Sequence, residues 1–118
     1  MANTFKNKIK TGVGTSGSGT THGDPVYAAT TSGLTAATII GMTCANVTGT
    51  DVTIDVKITD NSASASSFVV KAAPVPTGGS LVVVGGNQKI VLENADTIQV
   101  ISSAASSIDV TLSIMEQT

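Results

Sequence analysis

The chain has 118 residues, a formal net charge of −2 and a hydrophobic fraction of 41%. This length suits one domain with its own core and is too short for two. All six basic residues are lysine, which disfavours specific duplex binding because that function uses arginine-bearing basic patches. The aromatic residues are Phe5, Tyr27 and Phe68. So few rings also disfavour the stacking platforms of carbohydrate-binding and single-strand nucleic-acid-binding proteins.

Cys44 is the single cysteine, which excludes an intrachain disulfide and leaves stability to packing or oligomerisation. The first residues lack the continuous apolar segment of a secretion signal. No stretch approaches the roughly 18 apolar residues of a membrane span. We therefore expect a protein that is synthesised in the cytoplasm and does not enter a membrane.

The N-terminal segment alternates Phe5 and Ile9 with three lysines, Lys6, Lys8 and Lys10. An extended conformation would place these lysines on one side. One interpretation is an arm that docks on an acidic partner or on nucleic acid, with Phe5, Lys6, Lys8 and Lys10 as the partner-binding residues. The other interpretation is an edge strand whose lysines prevent unwanted strand pairing.

Residues 11–24 are rich in Gly, Ser and Thr, with Val13 as the only aliphatic residue and nothing to bury. This composition is typical of a linker. We predict an extended Lys/Gly/Ser-rich arm over residues 1–24 and a single domain over residues 25–118. Residues 12–17 match the dinucleotide pattern G-x-G-x-x-G, but residues 18–25 cannot form the helix that phosphate binding needs, so we predict no nucleotide cofactor.

The domain consists of short segments in which aliphatic residues mostly alternate with Thr, Ser or charged residues, a period of two that is typical of strands. The predicted strands cover residues 25–28, 37–47, 51–59, 68–72, 80–84, 89–93, 97–101 and 108–115. Turn-forming residues separate them at regular intervals. This pattern predicts an all-β fold, a single antiparallel β-sandwich of about eight strands, of jelly-roll or immunoglobulin-like type.

Three local features predict how the strands are connected. The short connection over residues 48–50 makes the strands at 37–47 and 51–59 the best hairpin candidate. Pro74 and Pro76 place their segment at a sheet edge or at a crossover between sheets, because proline donates no ladder hydrogen bond. The continuous apolar run of residues 81–84 predicts burial on both faces, within the sandwich or against a neighbouring subunit.

Catalytic and metal-binding patterns are missing from the sequence. His22, the single histidine, lies in the glycine-rich segment, where nothing fixes it as the base that a serine nucleophile needs. Cys44 lies in an apolar strand and is expected in the core. Asp60 and Asn61 are an alternative as calcium ligands, but the alternating spacing of a calcium loop is missing. We therefore predict no catalytic residues and no metal.

Residues 46–48 form a glycosylation sequon in sequence only, because no secretion signal accompanies it.

Five segments carry a resemblance to a known family: residues 1–7, 37–42, 52–57, 73–80 and 98–100. They resemble small virion structural proteins of tailed bacteriophages, particularly marine and cyanobacterial phages. The resemblance extends over nearly the whole chain and rests on apolar strands and Pro-Gly turns. It implies a β-sandwich that decorates or cements the capsid, or that joins the neck and tail, and it implies no catalytic residues.

We therefore expect a non-enzymatic virion protein that stabilises the capsid as a homo-oligomer, with a trimer favoured. Its partners would be the major capsid protein or neck and tail proteins, with no specific nucleic acid and no cofactor. In this interpretation residues 1–24 order on contact with neighbouring subunits, where Lys6, Lys8 and Lys10 meet acidic groups. The alternatives are a neck, tail or fibre component, and a ligand- or carbohydrate-binding module.

Overall fold

The computed structural model describes residues 2–13, 25–85 and 88–118. These residues form nine strands and contain no helix, so none of their elements is a helix that could cross a membrane. The strands are β1 (Asn3–Lys10), β2 (Pro25–Ala28), β3 (Ala36–Asn46), β4 (Val52–Asp60), β5 (Ala65–Val75), β6 (Ser80–Val84), β7 (Ile90–Glu93), β8 (Thr97–Ser102) and β9 (Ile108–Gln117). The predicted all-β sandwich is confirmed.

Two antiparallel sheets make up the sandwich. Sheet A has the order β1-β9-β3-β6, and β7 pairs with β3 on the same side as β6. Sheet B has the order β2-β8-β4-β5. Strand β1 pairs with β9 so that Asn3 lies opposite Gln117, which joins both ends of the described chain in one sheet.

The core lies between the two sheets and is aliphatic. Strand β9 buries every second residue, and this buried set contains Ile108, Val110, Leu112 and Ile114. Strand β4 follows the same alternation from sheet B. Since side chains of a strand point alternately to its two faces, the period of two gives each sheet one face toward the core.

The expected hairpin between the strands at 37–47 and 51–59 is wrong. Strand β3 belongs to sheet A and β4 to sheet B, so residues 47–51 cross from one sheet to the other. The side chain of Asn46 holds this crossing: its Nδ2 donates to the carbonyls of Thr50 (2.8 Å) and Val75 (3.0 Å), and its Oδ1 accepts from the amide of Thr48 (2.9 Å). A short polar connection therefore serves a sheet crossing here.

The hairpin in this region joins β4 and β5, with Asp60 opposite Ala65. Between the strands predicted at 51–59 and 68–72, only residues 61–64 form a turn, and the carboxylate of Asp60 accepts from the amide of Ala63 (3.1 Å). Strand β5 is longer than predicted and carries Pro74 at the open edge of sheet B. The chain then passes to β6 of sheet A, so this segment is both an edge and the start of a crossover.

The expectation that residues 81–84 are buried on both faces is wrong within the single chain. Val84 is buried, but Val82 is 64% exposed. Among the described strands β6 pairs with β3 alone, and the face that carries Val82 points away from the core.

Residues 3–10 form an edge strand, which agrees with the second interpretation of the lysine-bearing segment. We expected that residues 11–24 bury no side chain, and this is wrong at Val13. Val13 is 1% exposed, and its amide donates a hydrogen bond to the carbonyl of Ile108 (3.0 Å). Residues 14–24, which include His22 and most of the G-x-G-x-x-G match, lie outside the described residues.

Candidate interaction surface on sheet A

The residues predicted to bind a partner divide between the two faces of β1. Phe5 lies opposite Met115 on the outer face of sheet A and is 71% exposed. Lys6, Lys8 and Lys10 lie opposite the core-facing positions of β9, at the open edge of the sandwich. The expected alternation therefore holds, but the lysines do not share a surface with Phe5.

Lys6 is engaged within the fold. Its Nζ lies 2.8 Å from Oε1 of Glu116, a carboxylate that is 1% exposed. The other carboxylate oxygen, Oε2, accepts hydrogen bonds from the hydroxyls of Tyr27 and Thr31, the latter at 2.8 Å. A buried carboxylate with one cation and two hydroxyl donors has the partners that its desolvation requires. This group, Lys6, Tyr27, Thr31 and Glu116, is called the Glu116 cluster below.

The Glu116 cluster fixes the protonation of its members. The hydrogen bond from Lys6, followed by that from Tyr27, lowers the pKa of Glu116 from 4.5 to about 2, although burial opposes this. Burial and the neighbouring carboxylate raise the pKa of Tyr27 well above its usual value. At neutral pH the carboxylate is therefore charged and the phenol neutral, and the cluster joins β1 and β9 of sheet A to β2 of sheet B.

Sequence reasoning missed Glu116. The signal was present, because Glu116 continues the buried alternation of β9 two positions after Ile114. A charged residue at a core-facing position of a strand needs an oppositely charged or hydrogen-bonding partner. The partners come from distant parts of the chain and are not visible in the local pattern.

The outer face of sheet A carries no charged residue across three adjacent cross-strand rows. Two bulky rows flank a row of smaller residues, beside which Ile40 occupies a β-bulge. The rows are Phe5, Met115, Thr38 and Val91; Asn7, Ser113 and Gly41; and Ile9, Thr111, Thr43 and Val82. Phe5, Ile9, Val82 and Val91 are 71%, 64%, 64% and 60% exposed. We call this surface the A face.

The outer face of sheet B differs in its charge. Asp55 and Lys57 lie on β4, and Lys71 on β5 forms an ion pair with Asp55 at 3.2 Å. Phe68, the large exposed side chain on this face, lies beneath the ammonium groups of Lys71 (4.4 Å to the ring centroid) and Lys57 (5.7 Å). The aromatic ring is thus partly covered by charged groups, whereas the three rows of the A face expose Phe5, Ile9, Val82 and Val91 and carry no charge.

Three acidic groups meet at the β7–β8 turn. Carboxylate oxygens of Asp60, Glu93 and Asp96 lie within 4.8 Å of one another. Asp96 is buried and accepts from the amides of Asn61 and Glu93, both at 3.0 Å. Asn61, considered above as a calcium ligand, thus contributes a backbone N–H donor. The carboxylates of Asp60 and Asp96 close turns, as aspartate often does.

Cys44 and Asn46 are parts of the interior. Cys44 is fully buried, and burial raises the pKa of its thiol to about 12, which agrees with its expected place in the core. Asn46, the sequon asparagine, is also buried and bonds through both side-chain heteroatoms. Neither side chain is presented to a modifying enzyme in the folded chain.

No family model and no curated protein matches the chain. The chain is similar to a solved structure from Bacillus endospore appendages, which form a novel family of disulfide-linked pili. The TM-score is 0.43 and the sequence identity 17%, and the alignment covers 98% of this chain and 87% of the other. At this TM-score the likeness carries no functional argument.

Proposed function

We propose that this chain is a non-enzymatic structural protein of a bacteriophage virion, which decorates and stabilises the capsid as an oligomer. The sequence resemblance to virion structural proteins suggests that this chain is a component of a virion. The observation that carries the structural role is the A face, an uncharged surface on which Phe5, Ile9, Val82 and Val91 are exposed. Large exposed apolar patches on soluble proteins mark sites of association.

The ionisable groups that cluster among the described residues also support a structural role. Glu116 is engaged by Lys6, Tyr27 and Thr31, and Asp96 is engaged by backbone amides. A catalytic acid or base needs access to a substrate, whereas these carboxylates hold strands and turns together. The Glu116 cluster also secures the N-terminal edge without a disulfide, which suits a particle that persists outside the cell.

The structure changes how the N-terminal strand would contact a capsid. Because Lys6 is paired with Glu116, we assign the electrostatic part of such a contact to Lys8, which is exposed on β1. Deleting residues 2–23 would remove Lys6 and leave the buried Glu116 without its cation. A point substitution, Lys8→Glu, therefore tests the contact with less damage to the fold.

Quantitative mass spectrometry of purified virions tests the proposed function. We expect copies comparable to those of the major capsid protein, on the order of hundreds, because a decoration protein occupies every symmetric site. About six to a few tens of copies would instead assign the chain to the neck, tail or fibres. Absence from the virion would refute the proposal.

Rebinding of purified protein to undecorated capsids tests the contact itself. Lys8→Glu is expected to weaken binding, and the effect should diminish with added salt because the interaction is between exposed charges. Lys89→Glu makes the same charge change before β7 and is the matched control. Equal binding by the two variants would exclude Lys8 from the contact.

A further inference from the structure

We infer that residues 2–13 of one copy of this chain bind along β9 of a second copy, in place of that copy's own residues 2–13. The inference rests on the proposed function, since it names the contact that joins neighbouring copies of the oligomer. Residues 2–13 are called the N-terminal segment below. The partner is thus a strand whose fit to β9 is already displayed within each copy.

The N-terminal segment is a separable part of the sandwich. Seven of the eight residues of β1 are exposed, and among the described strands β1 pairs with β9 alone. Apart from Val13, the buried hydrophobic residues of the described core run from Val26 to Ile114. The two sheets therefore enclose most of their core without the N-terminal segment, which is attached along one edge.

Strand β9 offers a specific site for the N-terminal segment. The two strands pair over the whole length of β1. Beside this ladder, Nζ of Lys6 lies 2.8 Å from Oε1 of Glu116, and the amide of Gly12 donates to Oδ1 of Asp109 at 3.1 Å. Val13 then enters the core, where it is 1% exposed. A backbone ladder combined with specific side-chain contacts is how an extended segment adds to a sheet edge. The same segment of a second copy would satisfy all of these groups equally.

The sequence between the N-terminal segment and β2 is long enough for an exchange between copies. Residues 14–24 are eleven residues of Gly, Ser, Thr, His and Asp alone. At about 3.3–3.6 Å per residue, an extended chain of this length spans roughly 36–40 Å. This exceeds the 28 Å intermediate dimension of the chain. A segment that continues into β2 of one copy can therefore reach β9 of an adjacent copy.

Mass action decides between the two arrangements. The ladder, the ion pair and the burial of Val13 are the same in both, so the exchange changes the connectivity and not the contacts. A flexible linker gives the segment an effective concentration in the millimolar range at its own β9. A neighbour held within reach of the linker competes at a comparable local concentration. We therefore expect the segment to stay on its own copy in dilute solution and to exchange where copies are crowded, as on a particle.

Exchange would also join copies without a covalent bond. Cys44 is the single cysteine and is fully buried, so a disulfide between folded copies is not open to this chain. Reciprocal exchange of identical elements is a low-cost route to a symmetric oligomer. Each exchanged segment would bring Lys6 to the buried Glu116 of its neighbour, which leaves neither charge unpaired.

A disulfide trap between the two strands tests the exchange. Asn7 and Ser113 lie opposite each other across β1 and β9, at a separation that a disulfide bridges in antiparallel pairs. The variant Asn7→Cys/Ser113→Cys, with Cys44→Ala to remove the natural thiol, is unfolded, refolded at low or high concentration, oxidised and run on a denaturing gel without reductant. We expect internally linked monomer at about 10 µM and mostly covalent dimer and larger species at about 5 mM, because the effective concentration of the linker lies between these values.

Thr43→Cys/Thr111→Cys, in the same Cys44→Ala background, is the matched control. This pair joins β9 to β3 in the same sheet, and both strands belong to the body of the sandwich. It should give internally linked monomer at both concentrations. Only monomer from the Asn7/Ser113 pair at the higher concentration would overturn the inference. Equal amounts of dimer from the two pairs would also overturn it, because the links would then form between any exposed thiols.

Circular dichroism shows whether each variant is folded. Phe5→Cys/Met115→Cys places the trap at another opposed pair of β1 and β9 and repeats the test if the first variant does not fold. The virion copy number tests the proposed function separately. Exchange by a chain that is absent from virions refutes that function and leaves the exchange intact, whereas a virion chain that forms only internal links refutes the exchange alone.

Discussion

The hydroxyl of Tyr27 donates a hydrogen bond to Oε2 of Glu116, which links β2 of sheet B to β9 of sheet A. The opposite carboxylate oxygen lies 2.8 Å from Nζ of Lys6 on β1. Three strands from two sheets therefore meet at one buried carboxylate. The attachment of the N-terminal strand depends on the ionisation of this group.

Acid should weaken the fold through Glu116. Because the folded pKa of about 2 lies below the ordinary 4.5, the stabilisation is complete above pH 4.5 and is lost as the pH falls toward 2. We expect a loss on the order of 2 kcal/mol in the free energy of unfolding across this window. Urea unfolding at a series of pH values measures it.

Glu116→Gln should remove this part of the pH dependence and destabilise the protein at neutral pH by about 3 kcal/mol, since Lys6 loses its partner. Glu93→Gln removes an exposed carboxylate beside Asp60 and Asp96 and serves as the comparison, because it should retain the part of the acid dependence that comes from Glu116. An unchanged acid dependence in Glu116→Gln would assign the effect to other carboxylates.

Tyr27 should resist alkaline ionisation while the protein is folded. Its folded pKa lies above the ordinary value of 10.0, so the associated stabilisation is complete below pH 10 and is lost as the pH rises toward the folded pKa. Tyr27 is the single tyrosine, so ultraviolet absorbance of the phenolate reports this group alone. We expect phenolate to appear together with unfolding, followed by circular dichroism. A phenolate transition near pH 10 in folded protein would contradict the buried contact with Glu116.

Asn46 should stabilise the crossing between β3 and β4. Asn46→Ala removes hydrogen bonds to Thr50, Val75 and Thr48 and takes this partner from the carbonyl of the buried Val75. We expect a loss of about 2–3 kcal/mol in the free energy of unfolding, measured with urea. Asn94→Ala, which removes one hydrogen bond of 3.2 Å from an exposed asparagine, should cost less than about 1 kcal/mol. Equal losses would show that the Asn46 bonds do not support the crossing.

Cys44 should be unreactive in the folded protein. Its thiol is fully buried and its pKa is raised to about 12, so little thiolate is present at neutral pH. A disulfide reagent should modify it only at the rate of unfolding. Cys44→Ser should destabilise the protein by roughly 2 kcal/mol, more than Cys44→Ala, because the hydroxyl enters an apolar site. Rapid modification under native conditions would place Cys44 outside the core.

The strands were predictable from the sequence because their side chains alternate. The last strand was expected over residues 108–115 and is Ile108–Gln117, and the strand at residues 80–84 has the expected bounds. Pro74 marked an edge correctly because proline lacks the N–H that a central strand needs. The edge-strand interpretation of the three N-terminal lysines rested on the same kind of local argument.

The sequence by itself determined which residues form strands and which face of each is apolar. Only the tertiary structure decided which strands pair, and this is why the β3–β4 hairpin was wrong and the Glu116 cluster was missed. A period of two shows that one face of a strand is buried, but it does not show which strands lie beside it. An aliphatic face packs equally well whichever of the two sheets its strand belongs to. Tyr27 and Glu116 are 89 positions apart. Their contact, like the rows of the A face, exists because distant strands are placed side by side.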